Sequence, residues 1–315
     1  MTPVTINGAG IAGLASARWL ADAGLAPVVL EKGRGIGGRV ATRRVGDLQF
    51  DHGAQYVNAH GAGFAAVLNA VEQAGAPAGW TDGTGRTHSV GVPGTSAIAR
   101  ALGAGLDIRQ NVQVLRLVPD AGGWLLHLHG STLRTARVVV TVLAPQVAAL
   151  FGASYPLVAA FGPVQLAPCL TLMAAVAIPA PFVTRKDAAD PLSWIAQDNT
   201  KPSRPQGAGA LWVAQAGQEF SMAHLEDDPA TLTARMLPLL CDRLGASPAS
   251  VTHASTHRWR YARVAQALGQ PFFCAAMMPA SIWAVTGALA RGSRPQGTAA
   301  PPSPPICWRG ADDVD

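Results

Sequence analysis

At 315 residues, 49% hydrophobic and only 14% charged, the chain can bury a sizeable core as one large α/β domain or two domains sharing a site, which excludes a disordered protein. The net charge of +5 is spread along the chain, with basic clusters at 39–44 and 258–263. A phosphate-bearing cofactor or substrate suffices to explain it, and no nucleic-acid-binding module is recognisable.

Residues 3–7 (PVTIN) are short, apolar and β-rich, as a buried strand should be. Residues 11–23 then place Ile11, Leu14, Ala15, Trp19 and Leu20 at helical spacing, with Arg18 and Asp22 on the other side and Gly24 as the stop. A second buried strand, PVVL, spans 27–30 and ends at Glu31. Between first strand and helix stand Gly8, Gly10 and Gly13. The first allows a tight turn, the second lets a pyrophosphate approach the backbone, and the third lets helix and strand pack closely. The helix start offers free N–H groups and about half a positive charge to an anion. A carboxylate at Glu31 can accept from ribose hydroxyls. The pattern predicts a dinucleotide site; the plainer alternative is a glycine-rich turn in some other α/β protein.

A second glycine cluster, Gly33-Arg34-Gly35-Ile36-Gly37-Gly38-Arg39, follows directly. A plain nicotinamide dehydrogenase has no need of it. An extended FAD does, because loop backbone must pass close to pyrophosphate and ribityl, and an arginine can pair with phosphate. Phe50-Asp51-His52-Gly53-Ala54-Gln55-Tyr56 is a small-residue turn suited to lie against a flavin ring, with His52 as a flavin neighbour or a backbone hydrogen-bonder.

Further along, 106–119 and 122–133 read as alternating strands joined at Gly122-Gly123, and 137–143 (RVVVTVL) as a buried strand. Residues 231–244 read as a helix interrupted near Pro238. His127 and His129 alternate on a strand; a metal pair would need a third ligand, and none is evident, so no metal is expected. Asn199 and Lys201 sit in a polar loop (DNTKPSRP) and are candidates to meet substrate, or simply a solvated turn. In 257–261, alternation puts His257, Trp259 and Tyr261 on one face and Arg258 and Arg260 on the other. The first set reads as an aromatic wall over the flavin or as ordinary cross-strand packing. No GxSxG elbow or nucleophile–base pair appears.

The four cysteines, Cys169, Cys241, Cys274 and Cys307, show no metal or redox spacing, which suits a reducing compartment. The N-terminus enters a strand at once, without a basic n-region or cleavage site. The most apolar windows, 138–151 and 164–178, are too short or too proline-interrupted to span a bilayer. We expect a cytoplasmic protein with no membrane partner.

The glycine motif with its acid and GGR resembles the FAD-dependent amine-oxidase-like superfamily. Three further stretches resemble, within it, the bacterial renalase-like proteins: Gly91-Val92-Pro93-Gly94-Thr95-Ser96, with Thr95 where methionine is usual; Asp198-Asn199-Thr200-Lys201-Pro202; and His257-Arg258-Trp259-Arg260-Tyr261-Ala262. The likeness covers about residues 3–271. It implies an α/β fold: a Rossmann-like FAD-binding lobe (1–60 and 90–150) and a second, α+β substrate lobe on an antiparallel sheet (61–89 and 151–271). It implies non-covalent FAD held by Gly8, Gly10, Ile11, Ala12, Gly13, Glu31, Lys32, Gly38, Arg39, Gly53, Ala54, Gln55 and Val114. His52, Asn199, Lys201, His257, Trp259 and Tyr261 would lie on the substrate side. The implied reaction passes a hydride from a dihydronicotinamide isomer of NAD(P)H to the flavin, with oxygen reduced to peroxide. An amine or polyene substrate of the same superfamily is the alternative.

After Pro271 the text turns proline-rich and the family's C-terminal return, including a Gly-Asp motif, is missing. Reading the codons for residues 276–288 one base earlier permits Asp-Asp-Ala-Arg-Ile-Asp-Leu-Gly-Gly-Asp-Trp-Cys, which resembles that return. The second Asp, the Ala and the first Gly are forced by the genetic code. Residues 272–315 are therefore expected to be an aberrant tail, disordered or frameshifted, and an inactive gene product is a second reading; a genuine divergent tail is the alternative.

Overall fold

The computed structural model describes residues 2–58, 62–73, 75–178, 181–207, 209–268, 273–277 and 280–284. The chain opens with β1 (Thr2–Asn7), α1 (Ile11–Asp22), β2 (Val28–Glu31), β3 (Thr42–Val45), β4 (Leu48–Asp51), α2 (Ala62–Gln73), β5 (Pro77–Thr81), β6 (Thr87–Gly91) and α3 (Ser96–Gly103). It continues with β7 (Asp107–Gln110), β8 (Arg116–Asp120), β9 (Gly123–His127), β10 (Thr132–Val140), α4 (Ala144–Phe151) and α5 (Pro156–Ala160). The remainder holds β11 (Gln165–Val176), β12 (Thr184–Lys186), β13 (Trp194–Gln197), β14 (Ala210–Gln215), α6 (Gln218–Ala223), α7 (Pro229–Leu244), β15 (Val251–Gln266), β16 (Phe273–Met277) and β17 (Ala280–Ala284).

Among the described residues two larger sheets form. The first runs β16-β17-β10-β1-β2-β7, with β9 on the first half of β10 and β8 on β9. Its central strands are parallel: Asn7 pairs with Leu30 on one side and Val140 on the other. Val4, Ile6 and Val29 face α1, α2 and α3, while Val28, Leu30, Val138 and Val140 face α4 and the β8–β9 ribbon. Burial on both faces is what continuous apolar strands require. The second sheet, β12-β13-β14-β11-β15, is antiparallel. One face (Leu170, Leu172, Ala174, Trp212) packs on Leu232, Met236 and Leu240 of α7. The other (Met173, Ala175, Leu211, Val213) is covered by Phe50 of β4, so β4 joins the two lobes.

Several sequence expectations change. The single strand expected at 106–119 is broken at Asn111, whose φ of 57° is left-handed. Its first part, β7, pairs with β2 and its last part, β8, with β9. His129 lies beyond the end of β9, in a turn closed by Leu128 N–H on Ser131, so the two histidines are not one strand face. The helix expected to break near Pro238 runs through it from an Asp228 cap, whose carboxylate accepts from Ala230 and Thr231, to a left-handed Gly245. Helix α2, grouped by sequence with the second lobe, packs Phe64, Leu68 and Val71 into the first lobe's core. The α/β pattern does not end at Pro271: β17 pairs in parallel with β10 (Val139↔Trp283) and β16 with β17. The rest of the tail expectation, residues 285–315, lies outside the described residues. No helix among the described residues is long and apolar enough to cross a membrane.

Candidate active site

Gly8 turns the chain out of β1 at φ 112°, donating its N–H to Leu30 O at 2.8 Å. A Cβ on Gly13 would lie 1.9 Å from Gly8 O, so helix and strand approach as closely as only glycine permits. A Cβ on Gly10 would meet nothing within 4 Å. Packing against protein does not explain the residue; room for a ligand at the start of α1 does, and the site fits a dinucleotide on that observation. Ile11, Ala12 and Gly13 form the first turn of α1, with Gly10 as its cap. The Glu31 carboxylate accepts from Ala9 N–H (2.9 Å) and Gly33 N–H (2.7 Å). It thus ties the first glycine turn to the second and keeps further lone pairs for hydroxyls. Lys32 is exposed beside it.

The second glycine segment lies along the first. Gly37 N–H donates to Ala9 O at 2.8 Å, and a Cβ on Gly38 would come within 3.5 Å of Gly10 Cα. Val112 N–H on Glu31 O leads the chain to Val114, which is buried. Arg39 donates to Ala262 O on β15 at 2.8 Å, and Arg39 O accepts from Ala54 N–H at 2.9 Å. A Cβ on Gly53 would clash with Arg39 O at 1.9 Å.

The turn 52–55 forms one wall of a cavity of about 360 Å³ between the lobes. Gly53, Ala54, Gln55, Arg39 and Val40 line one side, Cys169, Ser193, Trp194 and Gln215 the sheet side, with Lys186, Trp259, Ala262 and Arg263 around them. Arg39, Lys186 and Arg263 are cationic, and no carboxylate is among the described lining residues. Cys169 is buried, and burial pushes its thiol up.

Trp259 is on this wall, its Nε1 donating to His52 O at 2.8 Å. His52 and His257 stand behind it as a T-shaped pair with centroids 4.7 Å apart. Burial, then the neighbouring His257 and Arg43, lower His52 to about 3. Burial, then Arg43, lower His257 to about 4. Arg43 donates to His257 Nδ1 at 3.1 Å, so both rings are neutral near pH 7 and serve as packing and acceptors rather than charges. Tyr261 does not line the cavity. Opposite β15, Cys169 pairs with Trp259 but Ala167 with Arg263, so β15 carries two extra residues in that interval. The irregularity interrupts the regular alternation locally, and Ala262, Arg263 and Val264 line the cavity where Tyr261 does not.

Asn199 spends its amide within the chain, donating to Gly209 O (2.9 Å) and accepting from Leu211 N–H (3.0 Å). Lys201 is buried, with Nζ 2.6 Å from Asp198, 3.4 Å from Asp51 and 3.3 Å from Gln55 Oε1. Arg204 completes a buried cluster of two acids and two bases, pairing with Asp51 and donating to Gly91, Pro93 and Pro202 carbonyls. Thr95 N–H and hydroxyl (2.9 and 2.6 Å) and the Thr42 hydroxyl (2.7 Å) also bind Asp51. Burial works against ionising Asp51, but Lys201 and Arg204 hold it down at about 2. Burial raises Asp198 against Lys201, and the Asp51 charge adds to the rise. Sequence reasoning missed Asp51, Asp198 and Arg204 as site residues; Asp198 and Arg204 stand in the same polar DNTKPSRP segment as Lys201, which gives no local sign of burial. It also missed Lys186, Gln215 and Arg263, whose spacing carries no signal. No group of three or more His, Cys, Asp or Glu able to hold a metal occurs among the described residues.

Residues 6–71 match the model of the NAD(P)-binding Rossmann-like domain. The chain superposes on a candidate protoporphyrinogen oxidase from Exiguobacterium sp. 255-15, with TM-score 0.71, 13% identity, and 85% of this chain and 88% of that one covered. The two share a fold. Putrescine oxidase in its wild-type form bound to putrescine aligns with TM-score 0.60 and 15% identity over 81% of this chain and 84% of that one. Cyclohexylamine oxidase from Brevibacterium oxydans IH-35A aligns with 0.62 and 14% over 82% and 84%. The fold is therefore common to this chain and these structures.

Proposed function

We propose that the chain is an FAD-dependent oxidoreductase acting on an anionic dihydronicotinamide nucleotide, as its renalase-like motifs imply. The observation that carries the reading is the position of the cavity. It opens against the turn 52–55 that follows the two glycine segments, and its described lining residues include Arg39, Lys186 and Arg263 and no carboxylate. A protonated amine would find no counter-charge there, whereas a phosphate-bearing substrate would find several. This favours the nucleotide over the amines named for the structural neighbours.

FAD would lie along Gly8–Gly13, Glu31, Gly38 and Arg39, and when bound it supplies hydride acceptance from the substrate and return of the electrons to oxygen, giving peroxide. The chain's own residues orient and desolvate. Trp259 and the pinned turn 52–55 hold the reacting face, the sheet excludes water from below, and Lys186 and Arg263 at the exposed rim attract the anion. No His, Asp or Glu is among the described lining residues, as suits direct hydride loss from an already electron-rich ring.

The test is a visible spectrum of the purified chain with added FAD, followed by anaerobic titration. Dihydronicotinamide isomers are expected to bleach the flavin band stoichiometrically and simple amines to leave it. Bleaching by amines alone would sink the substrate assignment. A second reading, an inactive product of a shifted frame, rests on the proline-rich text beyond residue 284. Sequencing the gene across codons 272–288 decides it: an in-frame Gly-Asp motif would show the present tail to be an error of frame.

A further inference from the structure

The Asp51–Asp198–Lys201–Arg204 cluster is the largest group of buried charge among the described residues, and no step of the proposed reaction uses it. All four side chains are 0% exposed. It also crosses the lobes: Asp51 ends β4, while Asp198, Lys201 and Arg204 follow β13. Lys201 has three N–H donors and three acceptors, Asp198, Asp51 and Gln55 Oε1, so its ammonium is fully satisfied.

The contact with Gln55 extends the cluster to the cavity. With Oε1 turned to the ammonium, the Gln55 amide nitrogen is directed at main-chain carbonyls, donating to Asp51 O (2.5 Å) and Gly53 O (3.2 Å). From the second lobe, Gln215 Nε2 also donates to Gly53 O at 2.8 Å and Trp259 Nε1 to His52 O. The carbonyls of three successive residues are thus each held by a side chain. An amide can flip by exchanging O and N; a cation fixed beside its oxygen removes that freedom.

We infer that Lys201 is a positioning residue for the turn 52–55, acting through Gln55, and that the cluster exists to keep a cation in that place. The role of this turn against a flavin rests on the function proposed above; its rigidity does not. A neutral arrangement could close the lobes as firmly, since buried ion pairs are often no better than apolar packing. What an apolar replacement would not do is orient Gln55.

The experiment compares full-length wild type with Gln55→Leu and with the charge-balanced pair Lys201→Met/Asp198→Asn, by site-resolved amide hydrogen exchange and by the FAD absorption band. In wild type, Ala54 N–H is bonded to Arg39 O and His52 N–H to Ala41 O. Both variants are expected to exchange these two amides about tenfold faster, the scale of one lost hydrogen bond, while amides of β11 and β14 keep wild-type rates. Each variant should also blur the fine structure of the flavin band. Wild-type exchange at residues 52–54 in folded Gln55→Leu would overturn the inference; that variant leaves every charge in place and so decides the matter even where the double variant does not fold. If wild type takes up no FAD yet the exchange contrast is seen, the positioning role stands and the cofactor reading falls.

Discussion

Trp259 and His52 are joined twice: the indole N–H donates to the His52 carbonyl at 2.8 Å, and the two rings stack with centroids 5.3 Å apart. One pair therefore fastens the long strand β15 to the turn beside the cavity. Trp259→Phe keeps much of the stack and drops the hydrogen bond. We expect it to cost about 1 kcal/mol by denaturant unfolding and to weaken substrate binding more than FAD binding. An unchanged midpoint and affinity would show that the stack alone holds the turn.

Gly10 and Gly13 separate ligand from packing. Gly10→Ala adds a Cβ into open space at φ −68°, so stability should stay within about 0.5 kcal/mol of wild type while FAD affinity falls at least about tenfold. Gly13→Ala drives a Cβ into the Gly8 carbonyl and should lower the melting temperature itself. Equal FAD binding by Gly10→Ala and wild type would count against a pyrophosphate at this turn.

Stability should fall on the acid side through the histidines. His52 and His257 have folded values of about 3 and about 4 against an ordinary 6.5, so the unfolded chain takes up their protons first. Their contribution is complete above pH 6.5 and is lost as pH falls toward 4 and 3, by up to about 1.4 kcal/mol per pH unit for each ring. Asp51, lowered from 3.8 to about 2, adds its own loss only below 3.8. His257→Gln, which can still accept from Arg43, should flatten the melting-temperature decline between about pH 6.5 and pH 4.5. An identical decline would clear His257 of this role.

Lys186→Glu and Arg263→Glu change charge at the rim, where both side chains are exposed. Each is expected to reduce kcat/KM for an anionic nucleotide by roughly tenfold at low salt, with the gap narrowing as salt rises. The flavin spectrum should stay as in wild type. A gain rather than a loss would point to a cationic substrate.

The dinucleotide turn was readable in the residue string because each part of it is local. Gly8, Gly10 and Gly13 obey backbone geometry within six positions, and the apolar runs on either side need only periods of two and of 3.6 to be recognised. The existence of two lobes followed from the same periodicities, and from motif resemblance for the second.

Lys201 and Tyr261 were not readable in this way. Lys201 stands in a stretch that looks solvated, and it is buried because Asp51 and Gln55, about 150 positions away, come to meet it. A charge enters a core only when its partners are assembled there, and that assembly is a property of how β4 packs on the second sheet. Tyr261 would face the cavity if β15 alternated throughout. Two extra residues between Trp259 and Arg263 interrupt that alternation locally, and that count is set by the register with β11. Local spacing specified the turn and its ligand-shaped gap at Gly10; tertiary pairing decided which distant side chains surround it, since register and burial belong to contacts and not to any single segment.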